Sequence, residues 1–170
     1  MGTVNGLPAH ILLVHAIVVL LPLAALLLVL TAAWPAARRR FAGPNAILSA
    51  LVVVLVPVTT SAGEWLEHRV GETALLDRHT ELGDTAIWAA VPVAVLALAI
   101  WWRQRETTAP ATRRTYLAPV SAPITRVIVA LAVVVAGWAV FDTYRIGDSG
   151  AKASWSGTFS SVSRDGRDGD

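Results

Sequence analysis

The chain alternates long apolar stretches with short charged ones, and four of the apolar stretches are long enough to cross a bilayer. They cover roughly residues 8–33, 45–64, 82–102 and 124–144. A helix needs about 20 apolar residues to cross the hydrocarbon, and only a helix or a closed barrel satisfies its backbone there. The stretches lack the two-residue alternation of barrel strands. The pattern therefore predicts an all-α fold, an integral membrane four-helix bundle within residues 1–155.

Arginine placement predicts how this bundle is oriented. The connections after the first and third apolar stretches contain one acid, Glu106, and these arginines: Arg38, Arg39, Arg40, Arg103, Arg105, Arg113, Arg114 and Arg126. The connection between the second and third stretches is net acidic. Because short cytoplasmic loops carry an excess of basic residues, we expect the arginine-rich connections in the cytoplasm and both termini on the extracytoplasmic side.

Composition supports a multi-pass protein of the plasma membrane. Hydrophobic residues make up 55% of the chain and charged residues only 15%, against about 25% charged in a typical soluble domain. The surplus arginines flank helices at headgroup depth, so the expected partner is the lipid bilayer and not nucleic acid. Residues 156–170 are rich in Ser, Gly and Asp. A segment of that composition cannot bury a core and is predicted to be a disordered polar tail.

The chemistry available to the chain is restricted. The chain has no cysteine, which excludes disulfides, thiolate metal sites, iron–sulfur clusters and covalently attached haem. It contains no P-loop, GxSxG or HExxH motif, and nothing in it identifies a catalytic nucleophile. An enzymatic role is therefore not indicated.

All four histidines, His10, His15, His68 and His79, fall at the same predicted face of the bilayer, near the outer leaflet. His15 lies five residues beyond His10, which places it about 7–8 Å deeper and about 140° around the helix axis. An ionisable residue within a membrane span is a functional candidate, so His15 is the leading one.

Two further histidines lie beside carboxylates. Glu64 and His68 share a helix face at i, i+4 if the second helix continues there, which suits a chelating pair. The third helix is expected to begin with Asp77 as its N-cap. His79 then lies near a helix start, where a neutral imidazole is favoured over a cation, and the neutral ring is the form that binds metal.

These residues predict a site near the outer leaflet with two alternative occupants. His15 and His79, on different helices, are suited to bind a b-type haem axially. Alternatively, three imidazole nitrogens with a carboxylate, from His15, His68, His79 and Glu64, suit zinc or copper. Two tryptophans deep in the spans, Trp88 and Trp138, are expected to pack between helices.

Several short runs resemble the small bacterial membrane proteins of domain-of-unknown-function family 2231, over most of the chain to about Trp155. They are Leu7-Pro8-Ala9-His10 with His15 beyond it, His79-x-x-Leu82-Gly83, and Arg145-Ile146-Gly147-Asp148-Ser149-Gly150. The resemblance implies a four-helix membrane domain without an assigned reaction. Relatives joined to Rieske or cytochrome modules imply a redox context and a redox or other membrane protein partner.

The resemblance also bears on the ligands. Many relatives carry a histidine in the Gly-x-x-Gly stretch after the last helix, where this chain has Asp148. Asp148 would add an oxygen to a metal site, and the substitution weakens the case for haem held by two imidazoles.

Three functions stay open on the sequence. The first is a multi-pass membrane protein that binds haem or a metal in a redox context. The second is a structural or partner-binding membrane subunit without a cofactor. The third is a small transporter or sensor that uses a protonatable His15, although the short loops argue against transport.

Overall fold

The computed structural model of the protein describes residues 2–108, 116–117 and 121–156. A short hairpin of β1 (Thr3–Val4) and β2 (Leu7–Pro8) precedes five helices, which are α1 (Ala9–Ala33), α2 (Pro35–Glu67), α3 (Ala74–Gly83), α4 (Ala86–Thr107) and α5 (Ala122–Trp155). Four helical segments are long and apolar enough to cross a membrane, with α3 and α4 counted as one segment. The predicted all-α membrane bundle of four helices is confirmed.

The four long helices pack as an antiparallel bundle in which α1 contacts α2 and α5, while α4 contacts α2 and α5. Residues 2–8, the start of α1, the end of α2, α3 and the end of α5 meet at one end, which we call the histidine end. There, Gly2 packs on the ring of Trp65, and His79 contacts Ser149. The α1–α2 junction, the end of α4 and the start of α5 form the opposite end, which we call the arginine end.

The helices extend beyond the apolar stretches that the sequence marked. The second helix was expected from about residue 45, but α2 begins at Pro35, and α5 runs to Trp155 and not to about residue 144. The only break between α1 and α2 is Trp34, which is extended at φ −116° and ψ 115°. A residue before proline is forced out of the helical region, and proline is well suited to the first helical position. Polar flanks stay helical outside the hydrocarbon because backbone bonding does not require apolar side chains.

Small side chains form the interior of the bundle. Ala24, Ala25, Ala89, Ala132 and Ala139 are each 0% exposed. Small residues let helix backbones approach closely, and this close approach, rather than expulsion of water, drives association in lipid. Many large apolar side chains therefore face outward, although Leu28 and Val93 are buried among the alanines, each 0% exposed.

The prediction that two deep tryptophans pack between helices is wrong. Trp88 is 73% exposed and Trp138 is 50% exposed. An interior lined by alanine leaves no room for an indole, whereas lipid accepts one on the outer face.

The hairpin at the histidine end was not predicted. Asn5 and Gly6 adopt positive φ angles of 50° and 81°, and Thr3 pairs with Pro8 and Val4 with Leu7. Asn-Gly is the strongest short-range hairpin signal, because both residues tolerate the left-handed region. The hairpin closes over the bundle end, where the Gly2 carbonyl accepts the first amide of α1 at 3.1 Å.

The predicted polar tail falls almost wholly outside the described residues. Ser156 ends α5, and residues 157–170 are not among those described. The boundary at residue 155 stays a prediction.

The alanine interior can be tested with two substitutions on α5. Ala132→Leu places a larger side chain at a fully buried position and should cost about 1–3 kcal/mol of stability through overpacking. Ala130→Leu, two residues away at an exposed position, should be nearly neutral. Thermal unfolding in detergent, followed by circular dichroism, measures both. Equal melting temperatures for the two variants would contradict the packing described above.

Candidate functional site

His10 joins α1 to α2 at the histidine end. Its Nδ1 lies 3.0 Å from the carbonyl oxygen of Thr59. A carbonyl can only accept a hydrogen bond, so Nδ1 carries the proton and donates it. The ring lies against Gly63, where an added Cβ would be 3.1 Å from both Cε1 and Nδ1. The absence of a side chain at Gly63 therefore lets the imidazole settle on α2.

His79 joins α3 to α5 in the same way. Its Nδ1 lies 3.0 Å from Oγ of Ser149, and that hydroxyl donates its own proton to the carbonyl of Ile146 at 2.8 Å. Because the hydroxyl has one proton and it is already used, His79 Nδ1 must be the donor. A Cβ at Gly150 would lie 2.9 Å from Cε1 of this ring, so Gly150 provides the space that the ring occupies.

The two rings meet. The centroids of His10 and His79 are 6.2 Å apart and their planes are inclined by 76°. We call these two residues the histidine pair. In both rings the Nδ1 proton is committed to a neighbouring helix, and none of the described residues hydrogen-bonds to either Nε2. In the neutral form of either ring, Nε2 would therefore carry a lone pair without a described hydrogen-bond partner.

The structure brings His10, and not His15, to His79. His15 lies on the exposed side of α1, and its Nδ1 donates to the Ile11 carbonyl of its own helix, 2.5 Å away. The two α1 histidines are five residues apart and point in directions about 140° apart. Of the two, His10 is the residue on the side of α1 that faces α3.

The other predicted ligands are not gathered around the histidine pair. His68 follows the last residue of α2 and is exposed, as is Glu64. Asp148 pairs with Lys152, with Oδ2 2.6 Å from Nζ. Within the described ranges, no group of three or more His, Asp or Glu side chains is arranged to hold a metal ion. Among the described residues, the histidine pair therefore brings together two imidazole rings without a third His, Asp or Glu side chain.

The predicted N-cap of the third helix is wrong. The helix begins at Ala74, and the cap is Thr73, whose hydroxyl accepts the amide of Leu76 at 3.2 Å. Thr73 has the extended backbone that a cap requires, at φ −145° and ψ 148°. Asp77 instead lies in the first turn, where a carboxylate favours the helix dipole.

Sequence reasoning missed a buried carboxylate. Asp142 is 1% exposed, and the hydroxyl oxygen of Thr85 lies 3.1 Å and 3.3 Å from its two carboxylate oxygens and 2.7 Å from the carbonyl oxygen of Leu82. The nearest cation is Arg145, at 3.9 Å. Asp142 lies seven residues before Ser149 on α5, so it shares that helix face about 10 Å further into the bundle. The signal was an acid inside the last apolar stretch, about residues 124–144, which sequence reasoning did not single out.

A family model described as predicted membrane protein (DUF2231) matches residues 6–161. The chain belongs to this family. The match includes the histidine pair, Asp142 and all of α1 to α5. It confirms the resemblance seen in the sequence and the multi-pass membrane localisation. No curated protein and no solved structure matches the chain.

Substitutions of two glycines of α5 test whether His79 packs against Gly150. Gly147→Ala should stabilise the protein by up to about 1 kcal/mol, because alanine favours helix and nothing lies within 4 Å of the added Cβ. Gly150→Ala gains the same propensity but brings a Cβ against the imidazole, so it should be neutral or destabilising. Thermal unfolding in detergent compares them, and equal stabilisation by both would show that His79 does not lie against Gly150.

Proposed function

We propose that this membrane protein binds a late transition metal ion, zinc or copper, at the histidine pair. The observation that carries the proposal is the pairing itself. Two imidazoles from different helices lie 6.2 Å apart between centroids, each held in the tautomer that leaves Nε2 open. Metal-ligating histidines commonly donate their other ring nitrogen to a carbonyl or another acceptor, which fixes the ring and raises its basicity.

The distance between the rings supports a shared ion. Metal–nitrogen bonds of about 2.0–2.1 Å to two imidazoles place the ring centroids about 5–6.5 Å apart, depending on the angle at the metal. The observed 6.2 Å is at the wide end of this range, where the two nitrogens lie nearly opposite each other across the ion. Imidazole suits zinc and copper, whereas magnesium and calcium require oxygen ligands. With two protein nitrogens the ion keeps open coordination positions, which suits transfer or reaction at the metal better than a purely structural role.

Haem is the other occupant that the sequence predicts. Axial ligation by His15 and His79 needs the two rings to face each other across the macrocycle, and His15 lies on the exposed side of α1. We therefore favour the smaller ligand. A wider metal site that includes His15, His68, Glu64 and Asp148 stays a prediction, as does a redox context.

Metal binding to purified protein tests the proposal. In detergent, wild type should bind about one Zn²⁺ or Cu²⁺ per chain, measured by elemental analysis after dialysis. His10→Ala and His79→Ala should each weaken binding by tenfold or more, about 1.4 kcal/mol or more. His15→Ala is the matched control, because it removes an imidazole from the same helix outside the pair, and it should bind as wild type does. A wild type that binds no metal would overturn the proposal, and so would equal losses in all three variants.

An optical spectrum of the same samples separates haem from metal. The samples are taken from cells supplied with haem precursor. A Soret band that sharpens on reduction would show that the bound group is a b-type haem and not the proposed metal ion. Loss of that band in His15→Ala would identify the ligand pair that the sequence suggested.

A structural or partner-binding subunit without a cofactor is the second candidate, and one observation favours it. Each histidine connects two helices by a hydrogen bond and lies on a glycine of the second helix, which is what a packing role requires. In that case the His10→Ala and His79→Ala variants lose stability, while wild type binds no metal. The function of the bundle would then be to bind a redox protein or another membrane protein.

We also propose that the histidine end faces the extracytoplasmic side, on the strength of the arginines at the other end. Because the chain has no cysteine, single substitutions report the sidedness. Ser156→Cys should react with a membrane-impermeant maleimide in intact cells, whereas Arg40→Cys should react only after permeabilisation. The reverse pattern would place the site in the cytoplasm.

A further inference from the structure

Two arginines from different helices converge at the arginine end. Arg38 of α2 is half-buried, and Arg103 of α4 is only 4% exposed. Both line one small cavity together with Ala32, Ile100 and Ile128, so all four long helices contribute to its walls. The two guanidinium charges are close enough to repel each other. Bringing two cations together at a membrane surface costs free energy unless an anion joins them.

Arg38 donates hydrogen bonds to the end of α1, and one of its nitrogens remains available to a ligand. Its Nε donates to the carbonyl of Thr31 at 2.8 Å, and its Nη2 donates to the carbonyl of Ala32. These carbonyls are among the last of α1, which have no partner within the helix. Nη1 makes no hydrogen bond within the described part of the chain, and no described carboxylate forms an ion pair with Arg38.

Arg103 joins the end of α4 to the start of α5. Its Nε donates to the carbonyl of Leu117 at 2.9 Å, and its Nη2 donates to the carbonyl of Ser121 and to Oγ1 of Thr125. These three acceptors are neutral, so these hydrogen bonds satisfy N–H groups without offsetting the charge of Arg103.

The carboxylate of Glu106 offsets part of the positive charge of Arg103. Its carboxylate acts on Arg103 electrostatically, while its oxygens accept from Nε1 of Trp102 and from the amides of Tyr116 and Leu117. Arg38 forms no ion pair with a described carboxylate, so its own positive charge stays at the cavity.

The cavity has room for one atom of a ligand. Its volume is about 10 Å³, roughly what one water molecule or one oxygen atom needs. We propose that the cavity takes an oxygen of a phosphate group, with Arg38 donating from Nη1 and the charge of Arg103 lying behind it. The rest of the phosphate stays at the bundle surface.

Phosphate is an anion that this arrangement suits. A guanidinium is always charged and carries several N–H donors, so Arg38 can hold two carbonyls and still donate from Nη1 to a phosphate oxygen. The arginine end lies at the depth of lipid headgroups, with the exposed Trp34 and Trp102 beside it. The same chemistry is offered by the headgroup of a phospholipid and by free phosphate, and basic pockets between membrane helices do bind lipid headgroups.

Ligand-induced shifts in melting temperature test the site, in a detergent free of phosphate. Short-chain phosphatidylglycerol should raise the melting temperature of wild type by about 2–4 °C. Arg39→Gln is the matched control, because it removes the same charge from an exposed neighbour, and its shift should equal that of wild type. In Arg38→Gln the shift should fall by half or more, whatever the melting temperature of the variant without ligand.

A second variant and a second ligand complete the test. Arg38→Lys keeps the charge but loses the planar group that donates to two carbonyls of α1 while Nη1 contacts the ligand. Its shift should also fall, and it replaces Arg38→Gln if that protein does not fold. Inorganic phosphate tested alone distinguishes the sources. A shift that depends on Arg38 with phosphatidylglycerol only identifies the lipid headgroup, and one with inorganic phosphate identifies free phosphate. No shift in wild type, or equal shifts in Arg38→Gln and Arg39→Gln, would overturn the proposal.

Discussion

The fold depends on one constraint, that a polar group within the hydrocarbon must find its partner inside the protein. This constraint makes the backbone helical. It also requires hydrogen-bond partners for the few polar side chains in the interior. The buried amide of Asn45, in the orientation that satisfies it, donates to the carbonyl of Ala24 at 3.3 Å and accepts from the amide of Leu28 at 3.2 Å, which ties α2 to α1. Among the described residues, the hydroxyl of Ser49 is the one fully buried side-chain polar atom without a partner.

The same constraint explains why the histidine pair is ordered. Each imidazole gives its Nδ1 proton to an acceptor on a neighbouring helix, so four helices, α1, α2, α3 and α5, determine two tautomers. Packing and chemistry therefore depend on the same hydrogen bonds. A ring held this way loses little conformational freedom when its second nitrogen binds a ligand, and preorganisation of this kind favours binding.

The sequence predicted where the spans lie along the chain better than it predicted which way each residue faces. Apolar run lengths gave the four spans. The side of a helix that meets its neighbours depends on packing, and an alanine-rich helix that is apolar all round carries little directional signal. His15 was therefore preferred to His10, and Trp88 was placed inside although it is exposed. Asp142 was missed for a related reason, because the apolar run ends near it while α5 continues to Trp155.

The junction at Trp34 has a consequence for how the protein is made. One extended residue separates α1 from α2, and Arg38 reaches back across it to the carbonyls of Thr31 and Ala32. A connection this short brings the two helices together as soon as both have left the ribosome, since closing a short loop costs little entropy. The one-residue junction therefore favours pairing of α1 with α2 over pairing of α1 with a helix further along the chain.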